Sequence, residues 1–138
     1  MADVLGSVAT IVEIALQIKD VVESVKKNKK VCREIADRAS RLGDILSMLK
    51  DMGVIDHHPA ICRVLIALKD ILVEALDLVK ACQERTTLGK VLKVYELRGD
   101  LNLVNRRISD RTVDAIFAVG CAQFATIRLV CSTPLQVF

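Results

Sequence analysis

Aromatic residues and prolines are scarce in this sequence of 138 residues. Aromatics make up 3% of the chain, tryptophan is absent, and there are two prolines. Because 52% of the residues are nonetheless apolar, the core must be built mainly from Leu, Val, Ile and Ala. That composition favours helix-on-helix packing over a sandwich of sheets. The length fits one domain, which can bury a core large enough to fold unaided.

The cysteines lack the even number and close spacing of a disulfide framework. This absence favours a reducing compartment, with the thiols buried in the core. The N-terminus also lacks a charged segment before its apolar stretch and begins Met-Ala, so neither a secretory signal nor myristoylation is indicated. We therefore expect a cytoplasmic protein. The five cysteines are Cys32, Cys62, Cys82, Cys121 and Cys131.

Long apolar runs are missing as well. A single membrane-spanning helix requires about 20 consecutive apolar residues. The longest candidates, residues 4–18 and 115–127, are shorter, and Glu13 interrupts the first of them. Neither segment predicts a standard membrane span, although an amphipathic helix that leaves its bundle and inserts as an oligomer stays an alternative.

No residue pattern indicates catalysis, a metal or a cofactor. His57 and His58 stand next to Asp56, but adjacent loop residues rarely chelate one ion and no second ligand cluster follows. Gly89-Lys90 lacks the remainder of a phosphate loop. Cys62 is the one thiol near the histidines in sequence, and a packed core cysteine is the favoured interpretation. We expect no enzyme, no catalytic or metal-binding residues and no cofactor.

Charge is distributed in alternating blocks. Residues 26–41 and 85–111 are strongly basic, whereas residues 1–25 and 51–84 are acidic. A basic block without interleaved aromatics does not favour nucleic acid, so we expect no nucleic-acid partner. It suits anionic membrane lipids, because each basic residue near such a surface contributes about 1 kcal/mol; solvated surface charge is the alternative. The anionic-lipid candidates are Lys26, Lys27, Lys29, Lys30 and Arg33.

Four segments repeat apolar residues at spacings of three and four, the pattern of amphipathic helices. The pattern predicts that Ile11, Leu42, Leu68 and Ile108 are core residues, one from each helix. The repeats are Val4, Val8, Ile11, Ala15, Ile18, Val22 and Val25; Cys32, Ile35, Ala39, Leu42, Leu46 and Leu49; Ile61, Leu65, Leu68, Leu72, Ala75, Val79 and Cys82; and Val94, Leu97, Leu101, Val104, Ile108, Thr112, Ala115 and Val119.

We therefore predict an all-α fold, an antiparallel up-down four-helix bundle with short connections. Gly99-Asp100 predicts the end of a short extra helix before helix 4, because Gly suits a helix end and Asp a helix start. The bundle domain is predicted to span residues 1–119. Residues 120–138 are either an extension of helix 4 or a frayed tail.

Two helical faces are candidates for binding. Helix 1 has more apolar surface than one bundle interface requires. Its membrane or pore candidates are Leu5, Val12, Glu13, Ile14 and Leu16. Helix 3 carries an acidic stripe opposite its apolar seam, and the partner-binding candidates there are Asp70, Glu74 and Asp77.

Two stretches resemble a known family. Lys29-Lys30-Val31-Cys32-Arg33, leading into Leu42, Ile45, Leu46 and residues 49–53, resembles helix 2 of the N-terminal domain of mixed lineage kinase domain-like pseudokinase. Residues 100–110 resemble that family's last helix. Over residues 1–119 the chain also resembles plant four-helix domains of the mid1-complementing type and the coiled-coil N-terminal domains of plant resistance proteins. Together these are called HeLo-like domains.

The resemblance implies a cell-death or immune signalling bundle, of plant defence type, that oligomerises on a signal and acts at the plasma membrane by disruption or cation conduction. It implies self-association, anionic lipids, and a kinase, pseudokinase or immune-receptor region as partners. In plant resistance proteins an acidic motif on helix 3 contacts the rest of the receptor; that motif is absent here, although Asp70, Glu74 and Asp77 lie in a similar place. The alternative function is a non-enzymatic adaptor or scaffold bundle that only self-associates or binds a partner.

Overall fold

The computed structural model describes residues 4–53, 55, 59–83 and 91–135, and side chains within these ranges at 6–53, 55, 59–83 and 96–121. The described chain is helical and contains no strand. It forms four helices, α1 (Val4–Val22), α2 (Lys29–Asp51), α3 (Pro59–Ala81) and α4 (Val91–Leu135). The predicted all-α fold with four helices is therefore confirmed.

The apolar repeats form the core. Ile11, Leu42, Leu68 and Ile108, the predicted core residue of each helix, are each at most 2% exposed. Every repeat position of α3 is buried, because that helix contacts both α1 and α4. Side chains that are three or four residues apart lie on the same face of a helix. Burial of that face supplies most of the helix's stability.

The helices pack as two hairpins placed side by side. α1 contacts α2 and α3, and α4 contacts α3 and α2, whereas α2 and α3 lie across a diagonal and barely touch. One helix that meets two neighbours needs a wide apolar face. In the bundle, two of the membrane or pore candidates of α1 lie against these neighbours: Ile14 is buried and Val12 is half-buried. Val12 packs beside Gly43 of α2, at a distance where an added methyl group would make ordinary van der Waals contact, 3.7–3.8 Å, with Ala15 and Val12.

The polar contacts between α2 and α4 fix the register of these two helices. Glu34 meets Asn105, and Arg38 meets Ser109 four residues further along both helices. Because residue numbers rise together on the two partners, α2 and α4 run in the same direction. The ends of α1 and α3 also meet, since the turn after α1 bonds to the residue after α3.

α4 is one continuous helix through Gly99 and Asp100, so the predicted extra helix before helix 4 is wrong. A glycine inside a helix costs only about 1 kcal/mol relative to alanine. Leu97 and Leu101 on either side of it pack against or within the core, which offsets that cost. α4 also continues through residues 120–135, and it is about twice as long as α2 or α3.

The cysteines differ in burial. Cys32 and Cys82 are fully buried and Cys62 is half-buried, but Cys121 is exposed on α4. The expectation of buried thiols is therefore wrong for Cys121, which lies beyond the turn of α4 where Ala115 and Val119 still face the core. The Cys131 side chain is not among those described.

Candidate functional site

The turn between α1 and α2 carries two of the four predicted lipid-binding lysines, and it is hydrogen-bonded to the residue after α3. The backbone amides of Lys26 and Lys27 donate to the carbonyl of Cys82, at 2.9 and 3.3 Å. Val25 inserts into the core beside them and is 4% exposed. The lysines therefore stand on a backbone that the bundle holds in place.

Asn28 connects this turn to α4. It is the residue before α2 and has a left-handed backbone conformation, φ 54° and ψ 37°, which asparagine tolerates better than most residues. Its carbonyl accepts the Cys32 amide at 3.0 Å, and its side-chain oxygen accepts a hydrogen bond from Arg98 Nε at 3.0 Å. Arg98 is thereby brought next to the first turn of α2.

Lys29, Lys30 and Arg98 line one groove of about 540 Å³ between the start of α2 and α4. The remaining lining residues are Asn28, Val31, Glu34 and Asn102. The first turn of α2 contains no acidic residue, and the Asn28 side chain makes no capping hydrogen bond, so the first backbone amides of the helix have no N-cap side chain as acceptor. Helix N-termini favour anions because the helix dipole adds partial positive charge there. We call this groove, with the seven residues that line it, the α2 basic groove.

The other predicted basic residues do not belong to this groove. Lys26 is exposed and Lys27 half-buried on the turn. Arg33 lies on a different face of α2 and lines a second groove of about 520 Å³, where it is accompanied by the acidic Glu23 and Asp37. The structure thus brings Lys29 and Lys30 together with Arg98, and separates Arg33 from them.

The acidic stripe of α3 is exposed as predicted, and part of it is paired. Asp70, Glu74 and Asp77 all face solvent. Glu74 Oε2 lies 3.7 Å from a terminal nitrogen of Arg107 on α4, and both side chains are about half exposed. Exposed ion pairs of this kind contribute about 0–1 kcal/mol, so Glu74 stays available to a partner.

The membrane or pore candidates of α1 divide into two groups. Glu13 and Leu16 are exposed, Leu16 by 56%. Ile14 and Val12 pack within the bundle. Leu5 lies in α1, but its side chain is outside the described set.

Sequence reasoning missed a polar cluster between α2 and α4. Asn105 is 8% exposed and donates from its side-chain amide to Glu34 Oε2 at 3.3 Å, while its side-chain oxygen has no partner. Arg38 donates to the Asn105 carbonyl at 3.3 Å and to the Ser109 hydroxyl. The detectable signal was Asn105 itself, which stands between Val104 and Ile108 in the apolar repeat.

Sequence reasoning also missed an exposed apolar surface, which lies toward the other end of α2 and α4. Phe117 is 71% exposed, and Val113 is exposed one turn before it. This α4 apolar surface continues a groove of about 250 Å³ whose floor includes Leu42, Ile45 and Ile108. The α4 apolar surface also includes exposed residues of the facing helix. Its exposed residues are Val113, Ile116 and Phe117 on α4, with Met48 and Met52 at the end of α2.

Among the described residues no group of three or more His, Cys, Asp and Glu side chains could hold a metal ion. His57, His58 and Asp56, together with Gly89-Lys90, lie outside the described residues. In the portion of the chain that is described, no helix combines enough length with enough apolar character to cross a bilayer.

An all-helical bundle with a basic groove and an exposed apolar surface is typical of a binding or signalling domain. The sequence profile of the mixed lineage kinase domain-like N-terminal domain matches residues 8–127. The chain belongs to this family of cell-death bundle domains, and the resemblance of residues 29–33 and 100–110 is confirmed. No curated protein and no solved structure matches the chain.

Proposed function

We propose that this domain is a non-enzymatic cell-death or immune signalling bundle that binds anionic lipid, oligomerises and disrupts or conducts cations across the plasma membrane. The observation that carries the proposal is the α2 basic groove. Two lysines, an arginine and an uncapped helix start converge there, and a lipid phosphate is the kind of group that such a set recognises.

The position of the groove supports lipid binding over the alternative that its lysines are only solvated surface charge. The groove lies at the bundle end where the turn after α1 is bonded to Cys82, so Lys26 and Lys27 stand beside it. Basic residues on one held surface add their attractions to an anionic membrane, each contributing about 1 kcal/mol. Glu34 is the one acidic residue in the groove, and its carboxylate already accepts a hydrogen bond from Asn105.

Replacing Lys26, Lys27, Lys29 and Lys30 with Glu tests the proposal. We expect the affinity of the variant for phosphatidylserine liposomes to fall at least tenfold, because four positive charges become negative. Co-sedimentation at low salt, with neutral phosphatidylcholine liposomes alongside, measures this. Unchanged binding would overturn lipid recognition by this surface.

A smaller charge-matched pair separates the groove from net charge. Lys29→Glu with Lys30→Glu changes the groove, whereas Lys50→Glu with Arg63→Glu makes the same charge change on exposed residues near the end of α2 and the start of α3. Only the first pair is expected to weaken binding strongly. Equal weakening would mean that attraction depends on overall charge and not on the α2 basic groove.

For the membrane-active assembly we propose that Glu13 faces a water-filled lumen formed by several α1 helices. The residue is exposed in the bundle, so it is not required for folding. A ring of carboxylates attracts cations and sets selectivity. This step requires α1 to leave its contacts with α2 and α3, so that Ile14 and Val12 exchange core neighbours for lipid.

Glu13→Gln distinguishes a pore from ordinary surface charge. Both interpretations expect normal folding, measured by circular dichroism and thermal melting. A pore is expected to lose cation selectivity in planar-bilayer recordings and cell-killing activity in a transient expression assay. Glu23→Gln, at an exposed position after α1, is the matched control. Full activity of the Glu13 variant would leave Glu13 as surface charge.

The α4 apolar surface favours a second candidate, an adaptor bundle that self-associates or binds another protein. Exposed apolar patches of this kind mark interaction sites. Leakage of anionic liposomes by the purified domain separates the two functions, because an adaptor is not expected to release an entrapped dye. A kinase, pseudokinase or immune-receptor region as partner, with the acidic stripe of α3 as a contact, fits either candidate.

The cellular setting that we propose is plant-type defence, with a cytoplasmic domain recruited to the plasma membrane on activation. We further propose that α1 to α4 alternate up and down. The common direction of α2 and α4 supports that topology, and so does the meeting of the ends of α1 and α3.

A further inference from the structure

Cys32 and Cys82 face each other across the bundle diagonal. Cys32 is in the first turn of α2 and Cys82 immediately follows α3, and both are 0% exposed. Asn28 contacts both residues, and the two thiols are close enough for Cys82 to perturb the pKa of Cys32. Because α2 and α3 otherwise make few contacts, this sulfur pair is a direct connection between the two hairpins.

Asn28 fixes the relative position of the two cysteines. Its carbonyl accepts the Cys32 amide at 3.0 Å, and its side-chain amide lies 4.0 Å from Cys82 Sγ as a donor. The carbonyl of Cys82 is held by the amides of Lys26 and Lys27. The two sulfur atoms therefore approach each other from backbones that are each fastened to the same turn.

We propose that Cys32 and Cys82 form a redox-sensitive dithiol, which a hydroperoxide converts into an intramolecular disulfide that ties α2 to the end of α3. One thiolate attacks the peroxide oxygen, giving a sulfenic acid and releasing the alcohol or water. The second thiol then attacks the sulfenyl sulfur, and water leaves. Two thiols and one hydroperoxide thus yield one disulfide, one water and one alcohol or second water.

Burial controls the rate of this reaction. Burial, assisted by the neighbouring Cys82 thiol, raises the pKa of Cys32 to about 12. Little thiolate exists at neutral pH under these conditions, and the thiolate is the reactive form. Oxidation is therefore expected to be slow in the closed bundle and to proceed when the Lys26–Asn28 turn opens.

The disulfide would hold the closed bundle shut. It closes a loop of about 50 residues, which by chain-entropy arguments raises Tm by about 10 °C in a domain of this size. Resting on the proposed function, the tie would also slow membrane action, because it holds α2 and the end of α3 together around the turn that follows α1, and α1 must leave both helices to insert. The oxidised domain is then a restrained form and the reduced domain a competent one.

The test is performed on the wild-type chain. The folded protein is treated with hydrogen peroxide at a temperature well below its Tm, quenched with an alkylating reagent, denatured and digested with trypsin. Cleavage places Cys32 in the peptide 31–33 and Cys82 in the peptide 81–85. We expect a cross-linked pair of these peptides, lighter by two hydrogens than their sum, from a band that remains monomeric on a non-reducing gel.

Two outcomes overturn the proposal. The first is that the cross-link forms only in denaturant, and the second is that Cys62 or Cys121 is the partner. Cys62→Ala, at a half-buried position, is the matched control and is expected to leave the cross-link intact, whereas Cys82→Ala abolishes it. A dithiothreitol-reversible rise in Tm supports the tie, and no rise contradicts it.

Dye release from anionic liposomes separates the dithiol from the proposed function. Release that is slower after oxidation and restored by dithiothreitol supports both. If the cross-link forms and the reduced domain releases no dye, the dithiol stands and membrane action fails. If the reduced domain releases dye but no cross-link forms, the dithiol alone is overturned.

Discussion

The bundle's two hairpins meet along two seams that differ in chemistry. α1 and α3, which form one seam, both carry a repeat of buried aliphatic side chains, such as Ile11 and Leu68. The seam between α2 and α4 instead contains Glu34, Arg38, Asn105 and a hydroxyl, with a groove at either end. Burial of apolar side chains stabilises the bundle strongly, but it is not directional and so does not fix the register of two helices. Hydrogen bonds require particular distances and angles, so they do fix it.

The two seams therefore contribute differently to the stability of the bundle. The apolar seam supplies most of the free energy that holds the hairpins together. The polar seam adds little net free energy, because each of its hydrogen bonds replaces one with water, at about 1 kcal/mol. We therefore expect it to be the weaker of the two seams, and both the α2 basic groove and the α4 apolar surface lie along it.

The largest effect is expected on the apolar side. Leu68→Ala removes a fully buried side chain and should lower the free energy of unfolding by about 2–5 kcal/mol. Urea denaturation measures it. Val73→Ala on the same helix, where the side chain is 42% exposed, is the control and should cost less than about 1 kcal/mol. A Leu68 variant that melts within a degree or two of the parent would contradict the assigned face of α3.

The polar seam should show a smaller and pairwise effect. Combining Arg38→Ala with Ser109→Ala in a double-mutant cycle should give a coupling free energy of about 0.5–1.5 kcal/mol, because their side chains hydrogen-bond across the seam. Thr112→Ala replaces Ser109→Ala in the control cycle. The Thr112 hydroxyl donates to the Ile108 carbonyl of its own helix, at 2.6 Å, so its coupling to Arg38 should be close to zero. Equal couplings would remove the polar seam as a specific contact.

The smallest effect tests whether α4 is continuous through Gly99. Gly99→Ala should stabilise the protein by about 0.5–1 kcal/mol, since an added methyl group meets nothing within 4 Å and alanine favours a helix. Gly53→Ala should have the opposite sign, because that residue has φ +71°, which alanine disfavours. Thermal melting of both variants measures this. A destabilised Gly99 variant would restore the break in α4 that the sequence suggested.

Periodicity predicted the parts of the fold that depend on spacing along one helix. Ile11, Leu42, Leu68 and Ile108 are buried because residues three and four apart share a helical face. It predicted a break at Gly99-Asp100 that is not there, because local preferences of about 1 kcal/mol are weaker than the packing of Leu97 and Leu101.

The candidate site was predictable only in part, for a different reason. Lys29 and Lys30 were identified from their charge, but Arg98 lies about seventy residues away and joins them through Asn28. No pattern along the chain reports which helices become neighbours. The same limit explains α1: its wide apolar face looked suited to a membrane, and in the bundle it is shared between two neighbouring helices.

α4 is longer than its neighbours, and its register shows where they stop. Asn105 faces Glu34 and Arg107 faces Glu74, so α2 ends and α3 begins at about the level of residue 122. At 1.5 Å per residue the remaining turns to Leu135 reach about 20 Å further. If α4 tilts at its polar contacts with α2, this segment moves further than any other part of the helix. A tilt of about 10° at Ser109, which is about 40 Å from Leu135 along the helix, displaces the end of α4 by about 7 Å, more than the rise of one helical turn, about 5.4 Å.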